Sequence, residues 1–217
     1  MIELSNVLKF YKTKGTIKVV LDGVSVNFRA GSSYAILGIN GAGKSTTIRV
    51  IAGTELPNAG RVKRTARVSW PLGFAGGLHP EMTGRENVHF VARIYRQNPR
   101  KVMEFVEDFA EIGAYIDEPY KTYSSGMAQR LAFGLSMAID FECYLIDEVM
   151  AVGDNRFQDR CAEEFSKRRA HSDIIMVSHN MDMVRQYCGR ALVLAHGLFH
   201  EFSNVDDAIE LYRKLNR

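Results

Sequence analysis

The chain has 217 residues, 46% of them hydrophobic and 24% charged, and a formal net charge of +3. Those proportions exclude disorder, collagen and low complexity, and the length suits one domain with a real core. No apolar run approaches the roughly 20 residues that span a bilayer, and Met1-Ile2-Glu3-Leu4-Ser5 lacks the basic and apolar regions of a secretory signal. The scattered positive charge is too weak to argue for nucleic acid. Cys143, Cys161 and Cys188 share no metal-ligand spacing and read as reduced thiols in a cytoplasmic protein.

The first third reads as β. Val19 to Leu21 and Val24 to Phe28 look like strands, the second alternating with period two. Ser33 to Leu37 is a short apolar strand that runs into a glycine-rich loop. Lys44 to Ala52 follows as a helix closed by Gly53, and Arg61 to Trp70 reads as one more strand. The middle is helical. Thr83-Gly84-Arg85-Glu86 is a capping box, and Asn98-Pro99 opens a helix with Val102, Phe105, Val106 and Phe109 on one face, which Gly113 can close. A third helix runs from Ser125 to about Ile139.

Strands and helices then alternate: Cys143 to Ile146, Asn155 to Ala170, Ile174 to Val177, Met181 to Tyr187, Ala191 to Leu194, and a last helix from Asn204. Alternation of this kind implies parallel pairing with right-handed crossovers. The expected fold is an α/β core with a parallel sheet, an antiparallel β subdomain at the start and a helical subdomain inserted at roughly 80–140.

Gly38-Ile39-Asn40-Gly41-Ala42-Gly43-Lys44-Ser45 matches G-x-x-x-x-G-K-[ST], between an apolar strand and a helix. Its glycines let backbone N–H groups face phosphate oxygens, and the helix N-terminus behind them favours negative charge. Lys44 supplies a point charge for the terminal phosphates, and the Ser45 hydroxyl can ligate Mg²⁺. The bland alternative is a glycine turn that binds nothing, but the flanking strand and helix stand where phosphate binding needs them.

Asp147 and Glu148 end an apolar strand, and ligands of α/β sheets lie beyond the carboxyl ends of strands. One carboxylate there can hold Mg²⁺, and the other can orient or deprotonate water. A solvated acidic pair is the common alternative, which the phosphate loop makes less apt. His179 follows the next strand and can hydrogen-bond a γ-phosphate, although one histidine among six proves little. Ser124 and Gly126 open a helix and read either as an ordinary N-cap or as a second anion site.

Phosphate loop, Ser-Gly helix start, Asp-Glu strand end and Ser-His occur in this order, over the whole chain, in a pattern that resembles ATP-binding-cassette (ABC) ATPases. The resemblance implies a P-loop NTPase core, one ABC nucleotide-binding domain over 1–217, and ATP with Mg²⁺ as cofactors. By position, Gly38, Ile39, Asn40, Gly41, Ala42, Gly43, Lys44, Ser45 and Thr46 form the Walker A segment. Tyr123 to Met127 is similar to the signature motif, with Ser124 and Gly126 contacting nucleotide in trans. Asp147 corresponds to the Walker B aspartate, Glu148 to the catalytic glutamate and His179 to the switch histidine. Ser45 and Asp147 are the implied metal ligands, Ala151 to Asp154 the D-loop, and Tyr11 the aromatic that stacks on adenine.

Two departures stand out. Ser125 and Met127 replace a glycine and a glutamine of the signature, and the Q-loop glutamine is missing, with Phe74 at its place. These features, with Trp70-Pro71-Leu72-Gly73-Phe74 and Thr83-Gly84-Arg85-Glu86-Asn87, resemble ATPases that export bacterial polysaccharides. The absence of an appended sugar-binding domain is more similar to the capsular type. The resemblance implies a homodimer on ATP binding, a separate membrane permease, and a peripheral place on the cytoplasmic face of the inner membrane. The polysaccharide itself is not expected to touch this subunit. The Trp70 to Gly77 segment is expected to line the groove that receives a permease helix. A soluble non-transport ABC ATPase, or an exporter of O-antigen or teichoic acid, is the alternative.

Overall fold

The computed structural model describes residues 1–13, 15–72, 77–147 and 154–216. Two units divide the chain. The first takes in Met1–Pro71, Phe141–Glu148 and Ser172–Arg217; the second takes in Leu72–Asp140 and Val149–His171.

Two sheets make up the first unit. β1 (Ile2–Thr13) pairs antiparallel with β2 (Thr16–Phe28) and with β4 (Ala59–Arg64), giving the order β2-β1-β4. The second sheet runs β5-β6-β7-β3-β8-β9, from β5 (Val68–Pro71), β6 (Cys143–Asp147), β7 (Asp173–Val177), β3 (Tyr34–Leu37), β8 (Arg190–Ala195) and β9 (Leu198–Phe202). All neighbours are parallel except β8 and β9. β3, β6, β7 and β8 are almost wholly buried. That burial explains their unbroken apolar runs, because a parallel sheet is covered on both faces.

Helix α1 (Lys44–Ala52) buries Ile48, Val50 and Ile51 in one cluster with Leu4 and Val7 of β1 and Leu145 and Ile175 of β6 and β7. Gly53 ends it in a left-handed conformation, and the Arg64 guanidinium donates to the carbonyls of Ile51 and Val50, each at 2.6 Å. A cation thus meets the negative end of the helix.

Val19 to Leu21 and Val24 to Phe28 join in the single strand β2, paired along its length with β1, and two further sequence expectations change. Arg61 to Trp70 is two strands in two sheets. The chain crosses between them at Thr65 to Arg67, where the Thr65 N–H donates to the Met1 carbonyl and the Arg67 N–H to the Glu142 carboxylate. β9 is an added strand, returned from β8 by a two-residue turn at His196 and Gly197, both with positive φ. That geometry matches the right-handed twist of a hairpin.

The second unit is helical: α2 (Gly84–Ile94), α3 (Pro99–Ala110), α4 (Ser125–Ala138) and α5 (Asn155–Arg169). The capping box forms with both bonds, and Asn98 caps α3. Helix α3 stops earlier than Gly113. Glu111 takes the left-handed position at φ 50°, held by Arg156, Arg160 and Arg130. Those guanidiniums, Arg156 foremost, keep its carboxyl below the usual range. Phe109 stacks on Phe105 and Phe133 and meets Phe157 of α5 edge-on, so α5 shares the core of this unit.

Candidate functional site

The strand order places β7 between β6 and β3, so three parallel strands end at one edge. From that edge β3 leads into the phosphate loop, β6 presents Asp147, and β7 leads to His179. This is where α/β sheets hold their ligands.

The loop is shaped by close packing. Gly43 has φ 108°, and a Cβ there would lie 2.0 Å from Val20 Cγ1; a Cβ on Gly38 would lie 2.7 Å from the Leu194 carbonyl oxygen. Gly43 caps α1 without a side chain, and the first bond inside the helix runs from Thr47 N–H to Gly43 O at 2.9 Å. A helix leaves its earliest N–H groups without carbonyl partners of its own. With no capping side chain, that end is suited to an anion. Ala42 N–H donates to Ile39 O at 3.1 Å and tightens the turn.

Lys44 is buried, and its ammonium donates to the Gly38 carbonyl at 2.8 Å and the Ile39 carbonyl at 3.2 Å. Ser45 donates its hydroxyl proton to Asp147 Oδ1 at 3.1 Å. Tyr11, Lys18 and Val20 of the β1–β2 hairpin, the loop residues Asn40, Gly41 and Gly43 to Thr46, and His179 line one cavity of about 400 Å³. A hydroxyl beside a carboxylate is a hard-oxygen pair that suits a small divalent cation. Among the described residues no group of three or more His, Cys, Asp or Glu could hold a metal alone.

Tyr11 is anchored as well as exposed. Its hydroxyl donates to Glu55 Oε1 at 2.5 Å and lies 3.3 Å from Thr46 Oγ1, and Lys9 Nζ sits 5.1 Å from its ring centre. Glu55 also pairs with Lys9 at 2.8 Å and Arg49 at 3.0 Å. Burial pushes the Glu55 carboxyl up, but the bonds from Lys9, Tyr11 and Arg49 outweigh it and bring it down to about 2. No motif in the sequence marks Lys18 or the Glu55 hub; Lys18 enters the cavity as the cross-strand partner of Tyr11.

Ser124 and Gly126 belong to the second unit. Ser124 caps α4 by accepting from Met127 N–H at 3.3 Å, and a Cβ on Gly126 would meet nothing within 4 Å. Glu148, Ala151 to Gly153 and Phe74 lie outside the described residues. Trp70 packs edge-on against Phe141 with ring centres 5.3 Å apart. Cys143 and Cys161 are buried, which raises both thiols, Cys161 to about 12, so neither is a reactive thiolate. No helix among the described residues is long and apolar enough to cross a membrane.

A strand–loop–helix phosphate cradle with a serine–aspartate pair at a sheet edge is the site of a P-loop nucleotide hydrolase. The ABC transporter family profile matches residues 21–151, and the chain belongs to the ABC transporter ATPases. It is 47% identical over 215 residues to the capsule polysaccharide export ATP-binding protein CtrD of Neisseria meningitidis, covering 99% of this chain and 100% of that protein. It is 43% identical to the ATP-binding protein BexA of Haemophilus influenzae, covering 100% of both. In fold it is similar to a dimeric ATP-binding cassette solved in a post-hydrolysis state with ADP and Pi. The TM-score is 0.75 at 23% identity, over 93% of this chain and 98% of that one.

Proposed function

We propose that this chain is the ATP-hydrolysing subunit of a bacterial exporter that moves a capsular polysaccharide across the inner membrane through a separate permease. The observation that carries the reading is end-to-end identity of 43% and 47% with two proteins, one of them named for capsule polysaccharide export. The site supplies the chemistry.

In this reading the N–H groups at the start of α1 and the Lys44 ammonium bind the phosphates of ATP. Tyr11 offers its ring to adenine. Ser45 and Asp147 would hold Mg²⁺, which neutralises phosphate charge when bound. Glu148 accepts the proton of the attacking water, and His179 donates a hydrogen bond to the γ-phosphate. Two copies face each other, with Ser124 and Gly126 of one reaching the nucleotide of the other. The pair sits peripherally on the cytoplasmic face of the membrane, against the permease.

Deletion of the gene in an encapsulated strain tests this. Surface polysaccharide is expected to vanish while polymer accumulates inside, with rescue by the wild-type chain and not by Lys44→Ala. Co-purification from membranes is expected to recover the permease. Undiminished surface polysaccharide in the deletion strain would rule the reading out.

A further inference from the structure

The last helix of the chain, α7 (Val205–Leu215), reaches the site. It buries Val205, Ala208 and Ile209, and Tyr212 follows three residues after Ile209 on the same side. The Tyr212 hydroxyl lies 3.1 Å from His179 Nδ1, with ring centres 6.5 Å apart. The family profile ends at residue 151, well before this helix.

The backbone around His179 is fixed separately. Ser178 Oγ accepts from Asn180 N–H at 3.0 Å. The Asn180 side chain accepts from Asp182 and Met183 N–H and so caps α6 (Met181–Tyr187). Arg185 of α6 donates to Asp206 of α7 at 2.8 Å and ties the two helices. These bonds set where the residue stands, not which way its exposed ring turns.

We propose that Tyr212 is a positioning residue for His179: its phenol fixes the ring's orientation and its tautomer. A phenol O–H that donates to Nδ1 assigns the ring proton to Nε2. A phosphate oxygen needs a donor, and Nε2–H is one; the other tautomer would present a lone pair to an anion. The inference rests on the reading of His179 as a γ-phosphate contact.

The test uses the purified full chain. Tyr212→Phe keeps the ring and removes the hydroxyl, so kcat is expected to fall about tenfold with KM for ATP nearly unchanged. In a His179→Ala background the same change should cost nothing further, because its effect runs through the imidazole. The ring ¹⁵N signals of His179 should show the Nε2–H tautomer in wild type and a mixture in Tyr212→Phe. Wild-type kcat in Tyr212→Phe beside a slowed but measurable His179→Ala would overturn the role of Tyr212 alone. Equal losses in both backgrounds, or unchanged ring signals, would do the same. Full activity in His179→Ala would remove the underlying reading and this proposal with it.

Discussion

Ser45 and Asp147 stand 102 residues apart in sequence, yet the serine hydroxyl donates to the carboxylate at 3.1 Å. One opens the helix after β3, the other ends β6, and β7 lies between those strands. The contact is set by sheet order, which brings both carboxyl ends to one edge. Asp147→Asn keeps the shape and removes the charge. We expect a fall in turnover of at least about tenfold, partly restored by raised Mg²⁺. A Mg²⁺ titration of ATPase activity reads this, and an unchanged Mg²⁺ requirement would contradict it.

Glu148→Gln should leave ATP binding intact while slowing hydrolysis by about 10²–10⁴-fold, because an amide cannot take the proton of water. Single-turnover phosphate release measures the step. The variant should also accumulate an ATP-bound dimer, visible by sedimentation with and without ATP.

Glu55 joins Lys9, Arg49 and Tyr11, and its carboxyl lies at about 2, below the ordinary 4.5. A depressed acid contributes stability above its unfolded value and loses it as pH falls through the folded one. That contribution is therefore full above about 4.5 and fades between 4.5 and 2. Glu55→Gln should lower stability at pH 7 by about 1–2 kcal/mol and flatten the loss below pH 4.5, as urea unfolding across pH 3–7 would show. Because the Tyr11 hydroxyl then donates to a neutral amide oxygen and its anchor weakens, KM for ATP should rise modestly while kcat holds.

Gly43→Ala places a methyl on Val20 at a backbone angle of φ 108°. Shortening Val20 to Ala removes the clash but not the backbone strain, which costs about 1–3 kcal/mol. The single variant should lose nucleotide binding, and the Val20→Ala double variant should recover thermal stability only in part. Full recovery would show that the side-chain collision alone matters at this glycine.

Local signals were legible because they act over a few residues. The phosphate loop, the helix it opens, the Gly53 stop, the capping box at Thr83 and the Asn98 and Asn204 caps all depend on neighbours within one or two turns. Composition and alternation sufficed for an α/β core, since buried parallel strands must be continuously apolar. What needed the tertiary structure was every choice between distant partners. Val62 and Val68 read as one strand, but backbone bonds to Met1 and Glu142 send them to different sheets. Glu111 could end a helix in place of Gly113 because three arginines from α4 and α5 converge on it. The hub at Glu55 and the contact between Tyr212 and His179 leave no spacing in the sequence. They arise where separate elements meet, and no period along the chain encodes that distance.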